Sequence, residues 1–202
     1  FVVDGGSTDG TVEWARENGY NVYIQKQKGF RHAYVEVMPQ VKSDVLITFS
    51  PDGNSIPELI PDLIEKIKEG YDMVIVSRYL GQAKSDDDDF LTSFGNWFFT
   101  RTANLLHGGK YTDAMVIYRI YPTRLFRELD LGDPAGYVTE KAFGTLLGVE
   151  PLLSVRAAKR KLRIAEIPVD EPARIGGARK LQPFRWGGAY LAQIVRELWF
   201  WK

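Results

Sequence analysis

The amino-terminal stretch Phe1-Val2-Val3-Asp4-Gly5-Gly6-Ser7-Thr8-Asp9-Gly10-Thr11 decides the fold that we expect for this chain. Its apolar residues predict a buried β-strand that ends at Asp4, and the small residues after it predict a glycine-rich turn before a helix. Ligands of open α/β sheets bind just beyond the carboxyl ends of the strands. Asp4 is therefore placed to bind the base or ribose of a nucleotide, while Gly6 and Ser7 let the ligand approach the backbone. An ordinary strand-turn-helix corner is the alternative reading.

Composition limits the function classes that remain open. The 202 residues are 45% hydrophobic, which is enough for one domain with a sizeable core. Lys plus Arg and Asp plus Glu number 26 each, so net charge does not indicate a nucleic-acid partner. The sequence contains no cysteine, which excludes disulfides, thiolate zinc sites and cysteine nucleophiles and is compatible with a cytoplasmic protein. Because the chain begins inside a predicted strand, we expect a further strand before residue 1.

Predicted strands and helices alternate through the first 80 residues, which is typical of βαβ units and a mainly parallel sheet. The strands in this half are predicted at 2–3, 22–24, 45–49 and 73–76, and the helices at 11–18, 28–39 and 57–70. The second half is less regular. Its predicted helices span 90–106, 137–147 and 186–202, and its predicted strands span 116–121 and 162–169.

Polar residues follow the strand predicted at 45–49. Asp52 supplies a carboxylate, Asn54 an amide oxygen and Ser50 a hydroxyl. Mg²⁺ and Mn²⁺ prefer such hard oxygen ligands, often one or two carboxylates together with phosphates. We expect Asp4 and Asp52 to converge, across neighbouring parallel strands, on one cleft that holds a diphosphate and a divalent cation. A simple Ser-Pro-Asp-Gly turn is the competing interpretation.

The motifs at Asp4 and Asp52 resemble those of one family. The opening stretch resembles the V-V-D-D-G-S-T-D-G-T signature of family 2 glycosyltransferases, except that Gly5 replaces the second Asp. Residues 50–58 resemble the Asp-Ala-Asp-x-Gln-His-Pro-Pro-Glu stretch of dolichyl-phosphate mannose synthases and their polyprenyl-phosphate relatives, with Ser50 in place of the first Asp. The resemblance implies a GT-A fold, a nucleotide-sugar donor and Mg²⁺ or Mn²⁺ held by Asp52, Asn54 and Ser50.

Further segments match the same family in order. Ser77-Arg78-Tyr79 resembles its Ser-Arg-Tyr, and Lys28-Gly29 resembles a Gly-Lys-Gly segment near the donor nucleotide. Residues 174–181, which include Arg174 and Lys180, resemble the basic Arg-x-Gly-x-Ser-Lys-Leu loop that covers the bound diphosphate. The resemblance thus adds Lys28, Arg78, Arg174 and Lys180 to the expected donor site.

The acceptor side is matched less closely. Thr112-Asp113 and Tyr118-Arg119 align with Asp-x-Thr-Ser-Gly-Phe-Arg, but residues 115–117 lack the small polar centre of that pattern. In this family the arginine that matches Arg119 binds the lipid phosphate. Arg101 is a second candidate phosphate contact, although a surface arginine is the better reading of it. Asp113 is the best candidate for a general base, and few other carboxylates qualify.

The resemblance implies an inverting, metal-dependent transferase that moves a sugar from a UDP- or GDP-linked donor to a polyprenyl phosphate. A phosphate acceptor is largely ionised near neutrality and needs no base, which suits the shortage of candidates. The alternatives are a transferase that acts on a soluble or polysaccharide acceptor, and a nucleotide-binding or scaffold protein that has lost activity. The departures at Gly5, Ser50 and 115–117 favour the last of these.

The predicted organisation is a catalytic domain at 1–185 followed by an aromatic amphipathic helix at 186–202. Aromatic rings beside Arg and Lys suit a membrane interface, so we expect a cytoplasmic protein peripheral to the membrane or anchored at it. Packing of the rings on the protein's own core, or on a partner in a homo-oligomer, is the equal alternative. The acidic run at 85–89 is expected to be a solvated mobile loop.

Overall fold

The computed structural model describes residues 1–50, 52–175 and 183–202. Strands and helices alternate along the first half and helices dominate the second. In chain order the elements are β1 (Val2–Asp4), α1 (Thr11–Glu17), β2 (Val22–Ile24), α2 (Phe30–Val37), β3 (Val45–Thr48), α3 (Ile60–Lys68), β4 (Met73–Ser77), α4 (Phe90–His107), β5 (Arg119–Pro122), α5 (Leu125–Glu128), α6 (Val138–Phe143), α7 (Glu150–Lys159), β6 (Ile164–Pro168) and α8 (Pro183–Phe200).

The described strands form two sheets. β1 and β2 pair in parallel, and a four-stranded sheet has the order β3-β5-β4-β6. β4 and β6 are parallel, whereas β5 runs antiparallel to both β3 and β4. β3, β4 and β6 therefore point the same way, so their carboxyl ends share one edge of the sheet. The prediction of an α/β fold with a mainly parallel sheet is confirmed, with β5 as the reversed strand.

The pairing around β3 differs from the sequence expectation. In the described part of the chain β3 pairs with β5 and β1 pairs with β2, so Asp4 and Asp52 do not follow hydrogen-bonded neighbouring strands. The reason is that β5 inserts beside β3, which the chain order alone does not reveal. The first residue of β5, Arg119, lies opposite Thr48 of β3 and Ile75 of β4.

The core is built on both faces of β4, whose residues are all buried. Leu63 of α3 and Leu152 of α7 are both 0% exposed and belong to the same apolar cluster as β4. A strand buried on both faces reads as a continuous apolar run, which is what Met73–Val76 supplies.

Two helices, α5 and α7, were not predicted from the sequence. α5 is only one turn long, and α7 is buried at every position from Glu150 to Ala158. A helix that is buried all round has no amphipathic period to detect. α3 also begins later than predicted, at Ile60 and not at residue 57. Residues 57–59 form a 3₁₀ turn, and no side chain caps either that turn or α3.

The carboxyl-terminal helix α8 is tied into the core. Arg156 of α7 and Glu197 of α8 form an ion pair of 3.0 Å, and both side chains are 0% exposed. Arg156 also donates to the carbonyls of Leu129 and Asp130 and lies 5.1 Å from the ring centroid of Trp201. Other α8 rings face outward, among them Trp199 at 72% exposure. In the residues that the structure describes, no helix combines the length and the apolar character that crossing a bilayer requires.

Candidate active site

A cavity of about 530 Å³ lies at the carboxyl ends of β3, β4 and β6. Ser50, Asp52 and Asn54 follow β3, Arg78 follows β4 and Glu171 follows β6. Much of the remaining wall is formed by residues 115–118, by Leu146, Gly148 and Glu150, and by the rings of Trp186 and Tyr190 on α8. The sheet therefore brings side chains from distant parts of the chain to one edge, as open α/β sheets do at their ligand sites.

Asp52 stands at this edge beside Arg174. Gly53 has a left-handed backbone (φ 85°), and the Ile175 N–H donates to the Asp52 carbonyl at 3.0 Å. The Arg174 guanidinium lies 3.9 Å from Asp52 Oδ2. Asp52 Oδ1 is buried and has no hydrogen-bond partner among the described residues. A buried carboxylate oxygen without a partner is suited to a cation, because leaving it unsatisfied is costly.

The rest of the predicted metal set is placed less directly. Ser50 and Asn54 line the cavity with Asp52, and the Asn54 amide N–H donates to Glu171 Oε1 at 3.1 Å. Among the described residues no group of three or more His, Asp or Glu side chains is arranged to hold a metal. A cation at Asp52 would therefore need further oxygens from a ligand such as a diphosphate.

Arg78 is the centre of a buried charge network. Its Nε and Nη2 donate to the two carboxylate oxygens of Asp113 at 2.7 and 3.1 Å. Its Nη1 makes longer contacts, 3.5 Å to Asp88 and 3.4 Å to Glu171. The pKa of Arg78 is raised because the three carboxylates outweigh the opposing effect of burial. Burial raises the pKa of Glu171 above 4.5, although Arg78 opposes this.

Asp113 is not positioned as a general base, which corrects the sequence prediction. Its side chain is 0% exposed, both oxygens accept from Arg78, and it is not part of the cavity wall. Its backbone is held from the other side by Glu166 of β6, which accepts the N–H groups of Thr112 and Asp113 at 3.0 and 3.2 Å. Asp113 therefore orients Arg78, and its carboxylate does not open into the cavity.

Arg119 also differs from its predicted role as an acceptor-phosphate contact. Its side chain is 0% exposed and lies off the cavity. Nε donates to the Val116 carbonyl at 2.9 Å, Nη1 to Ser154 Oγ at 3.0 Å and Nη2 to the Ala114 carbonyl at 3.3 Å. The guanidinium is therefore engaged in fastening the loop before β5 to α7, and a phosphate could not reach it without opening the core.

The acidic run at 85–89 is only partly the solvated loop that its charge suggested, because Asp86 and Asp89 are exposed whereas Asp87 and Asp88 are not. The Asp88 and Asp87 side chains are 6% and 10% exposed and line the cavity. Asp87 accepts two hydrogen bonds from Arg174, at 3.0 and 2.7 Å, which raise the pKa of that guanidinium. Asp88 accepts the hydroxyl of Tyr79. Arg78, which follows β4, pairs with Asp88, and Arg174 pairs with Asp87. These partners are distant in sequence, so the sequence alone does not reveal them.

The predicted nucleotide corner is formed at the end of β1. Asp4 Oδ1 accepts the N–H groups of Gly6 and Ser7 at 2.8 Å each. Hydrogen bonds from Ser7, chiefly from its hydroxyl, lower the pKa of Asp4 despite its burial. Asp4 is not among the residues that line the 530 Å³ cavity, so it stays a prediction that Asp4 and Asp52 bind the same ligand.

Two predicted cations that the structure describes do not line the cavity. Lys28, just before α2, and Arg101, on α4, are exposed, and neither lines it. Lys180 lies outside the described residues. Glu171, which the sequence reading missed, had a usable signal, because it follows a predicted strand just as Asp52 does. Asp87 and Asp88 had none.

Comparison with known proteins supplies the family. The Glycosyl transferase family 2 model matches residues 1–130, well over half of the chain. The chain belongs to glycosyl transferase family 2. This glycosyltransferase chain is 28% identical over 98% of its length to Glycosyltransferase AglJ of Haloferax volcanii, of which it covers 62%. It is 30% identical over 90% of its length to a dolichol-phosphate mannosyltransferase of Pyrococcus furiosus, of which it covers 50%.

A further relative and a solved structure complete the comparison. A dolichyl-phosphate hexose transferase of H. volcanii is 29% identical over 95% of the chain, which covers 77% of that protein. The crystal structure of glucosyl-3-phosphoglycerate synthase from Mycobacterium tuberculosis in complex with phosphoglyceric acid matches with a TM-score of 0.68 at 19% identity, over 98% of this chain and 68% of that one. Other structures of that synthase contain Mn²⁺ or Mg²⁺ with UDP. The GT-A-like fold is confirmed. The chain spans about half to three fifths of two of these relatives, so the activity of the whole protein is a separate question.

Proposed function

We propose that this glycosyltransferase chain transfers a sugar from a nucleotide-sugar to a polyprenyl phosphate. The observation that carries the proposal is the cavity at the carboxyl ends of β3, β4 and β6, where Asp52 has a buried oxygen without a described partner and Arg174 lies beside it. Family membership and the names of the lipid-phosphate relatives support the same reaction class.

The donor diphosphate is placed beside Asp52 and Arg174. Asp52, with Asn54 and Ser50 nearby, would hold Mg²⁺ or Mn²⁺ together with oxygens of the donor. Such a cation would stabilise the negative charge on the leaving diphosphate. Arg174 lies 3.9 Å from Asp52, and although Asp87 accepts from its Nε and Nη2, its positive charge would attract the phosphate oxygens of the donor. Lys28, Lys180 and the Asp4 corner remain proposed donor contacts.

The transfer itself is a single displacement. An acceptor oxygen attacks the anomeric carbon and forms the new C–O bond as the bond from that carbon to the diphosphate oxygen breaks. The electron pair of the broken bond leaves with the nucleoside diphosphate, and the anomeric centre inverts. An ionised phosphate acceptor carries no proton on its attacking oxygen, so the buried position of Asp113 does not obstruct this chemistry.

The acceptor phosphate needs a cation, and Arg119 is not available for it. Arg78 lines the cavity. The contacts of its Nη1 with Asp88 and Glu171 are long, 3.5 and 3.4 Å, so this nitrogen is the part of Arg78 that is held least tightly. We assign the acceptor phosphate to this arm of Arg78. A lipid acceptor places the reaction at the cytoplasmic surface of a membrane.

A hydroxyl acceptor, as in a soluble saccharide, is the second candidate. The observation that favours it is the carboxylate-rich wall, in particular Glu171, whose pKa is raised by burial. A carboxylate with a raised pKa is a better base for a hydroxyl proton. In that reaction Glu171 takes the proton as the C–O bond forms.

Asp52→Asn tests the donor site. We expect the variant to lose the Mn²⁺-dependent part of UDP or GDP binding in calorimetry, and transfer with it. The exposed Asp86 supplies the matched control, Asp86→Asn, which should bind as wild type. Unchanged Mn²⁺-dependent binding in Asp52→Asn would remove the metal assignment.

A second assay separates the acceptor classes. Purified chain in detergent is given radiolabelled UDP- and GDP-sugars with undecaprenyl phosphate or with free sugars. We expect label in the lipid phosphate product. Label in free sugars alone supports the hydroxyl acceptor, and nucleotide binding without transfer to either supports an inactive homologue.

A further inference from the structure

A second, mainly apolar groove of about 310 Å³ opens beside the active-site cavity. It runs between α4 and α8, where Leu91, Phe94 and Phe98 face Phe184 and Gly187. Its inner end and the cavity are continuous, because both are lined by Arg78, Asp88, Met115, Trp186 and Tyr190. Its outer end meets strongly exposed rings, with Phe184 88% exposed.

Glycines in the two helices leave this groove open. Gly95 lies inside the 18-residue helix α4, where glycine is less favourable than alanine. A methyl group there would make only an ordinary contact, 3.8 Å from Phe99, so packing does not require glycine. On α8, a methyl group at Gly187 would approach Phe99 to 3.4 Å. The missing side chains therefore widen the space between the helices.

A buried amide marks the inner end. Asn96 lines the groove at 7% exposure, and neither of its amide atoms has a hydrogen-bond partner among the described residues. Asn96 lies one helical turn before Thr100. The Thr100 hydroxyl accepts a hydrogen bond from the Ala114 N–H at 3.1 Å. Asn96 thus lies on the side of the loop that leads to the active site. A buried amide without partners is costly unless a ligand or water satisfies it.

We propose that this groove holds the first isoprene units of the acceptor lipid, with the Asn96 amide directed to its phosphate end. The inference rests on the proposed function. Three observations select this occupant: mainly apolar walls, an inner end that opens where Arg78 stands, and the buried Asn96 amide without a described partner. An apolar chain with one charged head fits this order, and a saccharide does not. An anionic membrane surface fits poorly, because Asp86 and Asp89 are exposed at the amino end of α4.

The pair Gly95→Leu and Gly95→Ala tests the groove. Leucine fills the groove, whereas alanine adds one methyl group with an ordinary contact. Sugar transfer to undecaprenyl phosphate and to the short geranyl phosphate is measured for each variant, with KM and kcat separated. For Gly95→Leu we expect the KM of undecaprenyl phosphate to rise about tenfold, the loss of roughly two buried methylene groups. The KM of the donor should stay as in wild type, and Gly95→Ala should behave as wild type.

Two further variants keep the proposal testable if leucine disturbs folding. Asn96→Leu keeps the side-chain size and should raise the KM of both lipid phosphates, because it removes a contact to the shared head. Trp97→Ala removes an exposed ring of the same helix that does not line the groove, and it should leave both KM values unchanged.

The outcomes separate this inference from the function on which it rests. If wild type glycosylates undecaprenyl phosphate and a folded Gly95→Leu variant has an unchanged KM for that lipid, the groove assignment is overturned and the proposed function is not. An equal loss in Trp97→Ala assigns the effect to the outer surface and also overturns it. Wild type that glycosylates no prenyl phosphate overturns the proposed function, and the groove assignment falls with it.

Discussion

The end of β4 and the start of β5 lie near the same edge of the sheet, and each carries an arginine that the family pattern marks as functional. Arg78 lies just past β4 and lines the cavity among carboxylates. Arg119 is the first residue of β5, faces α7 and is fully buried among carbonyls and a serine hydroxyl. A residue inside a strand is committed to one face of the sheet, whereas a residue past its end can turn toward the edge. A match to a sequence motif therefore does not decide which arginine lines the cavity.

The largest expected effect comes from removing the buried arginine. Arg119→Met should lower the free energy of unfolding by about 3 kcal/mol, because it leaves buried carbonyls and the Ser154 hydroxyl with fewer partners. Urea unfolding measures this. The exposed Arg124, which pairs with Glu128 at 3.4 Å, provides the control Arg124→Ala, for which no measurable change is expected. A stable Arg119→Met with an impaired acceptor KM would restore Arg119 to the site.

Arg78→Lys should act on transfer more than on stability. Lysine keeps the charge but cannot donate in parallel to both oxygens of Asp113, so the remaining N–H groups lose their fixed direction. We expect kcat/KM for transfer to fall about a hundredfold, or about 2.7 kcal/mol of transition-state stabilisation. A variant with wild-type kinetics would break the comparison between the two arginines.

Glu171→Gln should change how stability depends on pH. The folded-state pKa of Glu171 is raised above its ordinary 4.5, so its contribution to stability is present below that pH and is lost as pH rises through the folded pKa. Glutamine does not titrate, so the variant does not lose stability in this way as pH rises. The free energy of unfolding of Glu171→Gln relative to wild type should therefore increase as pH rises above 4.5 through the folded-state pKa. A difference that is flat with pH would contradict the raised pKa.

The smallest effect is expected for Asp87→Asn. Asp87 holds Arg174 by two hydrogen bonds while Asp52 lies farther away, at 3.9 Å. Weakening that hold leaves Arg174 freer to meet a donor diphosphate, and we expect the donor KM to fall about threefold. The exposed neighbour variant Asp86→Asn should not change it. A higher donor KM would mean that Asp87 positions Arg174 for the donor.

The sequence predicted the sheet edge better than the contacts on it. The strand ends before Asp4, Asp52 and Arg78 were predictable, because apolar runs followed by turn residues have a clear signature. The reversal of β5 was not, since strand direction depends on pairing between distant segments. Asp113 and Arg119 were assigned to ligands because a motif records residue type and spacing, but not which face is buried. The neutralisation of Asp87 and Asp88 likewise depends on Arg174 and Arg78, which are remote in sequence.

The buried ion pair between Arg156 and Glu197 makes α8 part of the folded domain. Shortening the chain ahead of Glu197 would leave a guanidinium sealed in the interior without its counter-charge, a defect that generally costs several kcal/mol. The last helix is thus a structural requirement of the catalytic half and cannot be trimmed away as a tail. We expect a chain that ends at residue 185 to unfold at a lower urea concentration than the whole chain, because it lacks Glu197 and the contacts of α8 with α7.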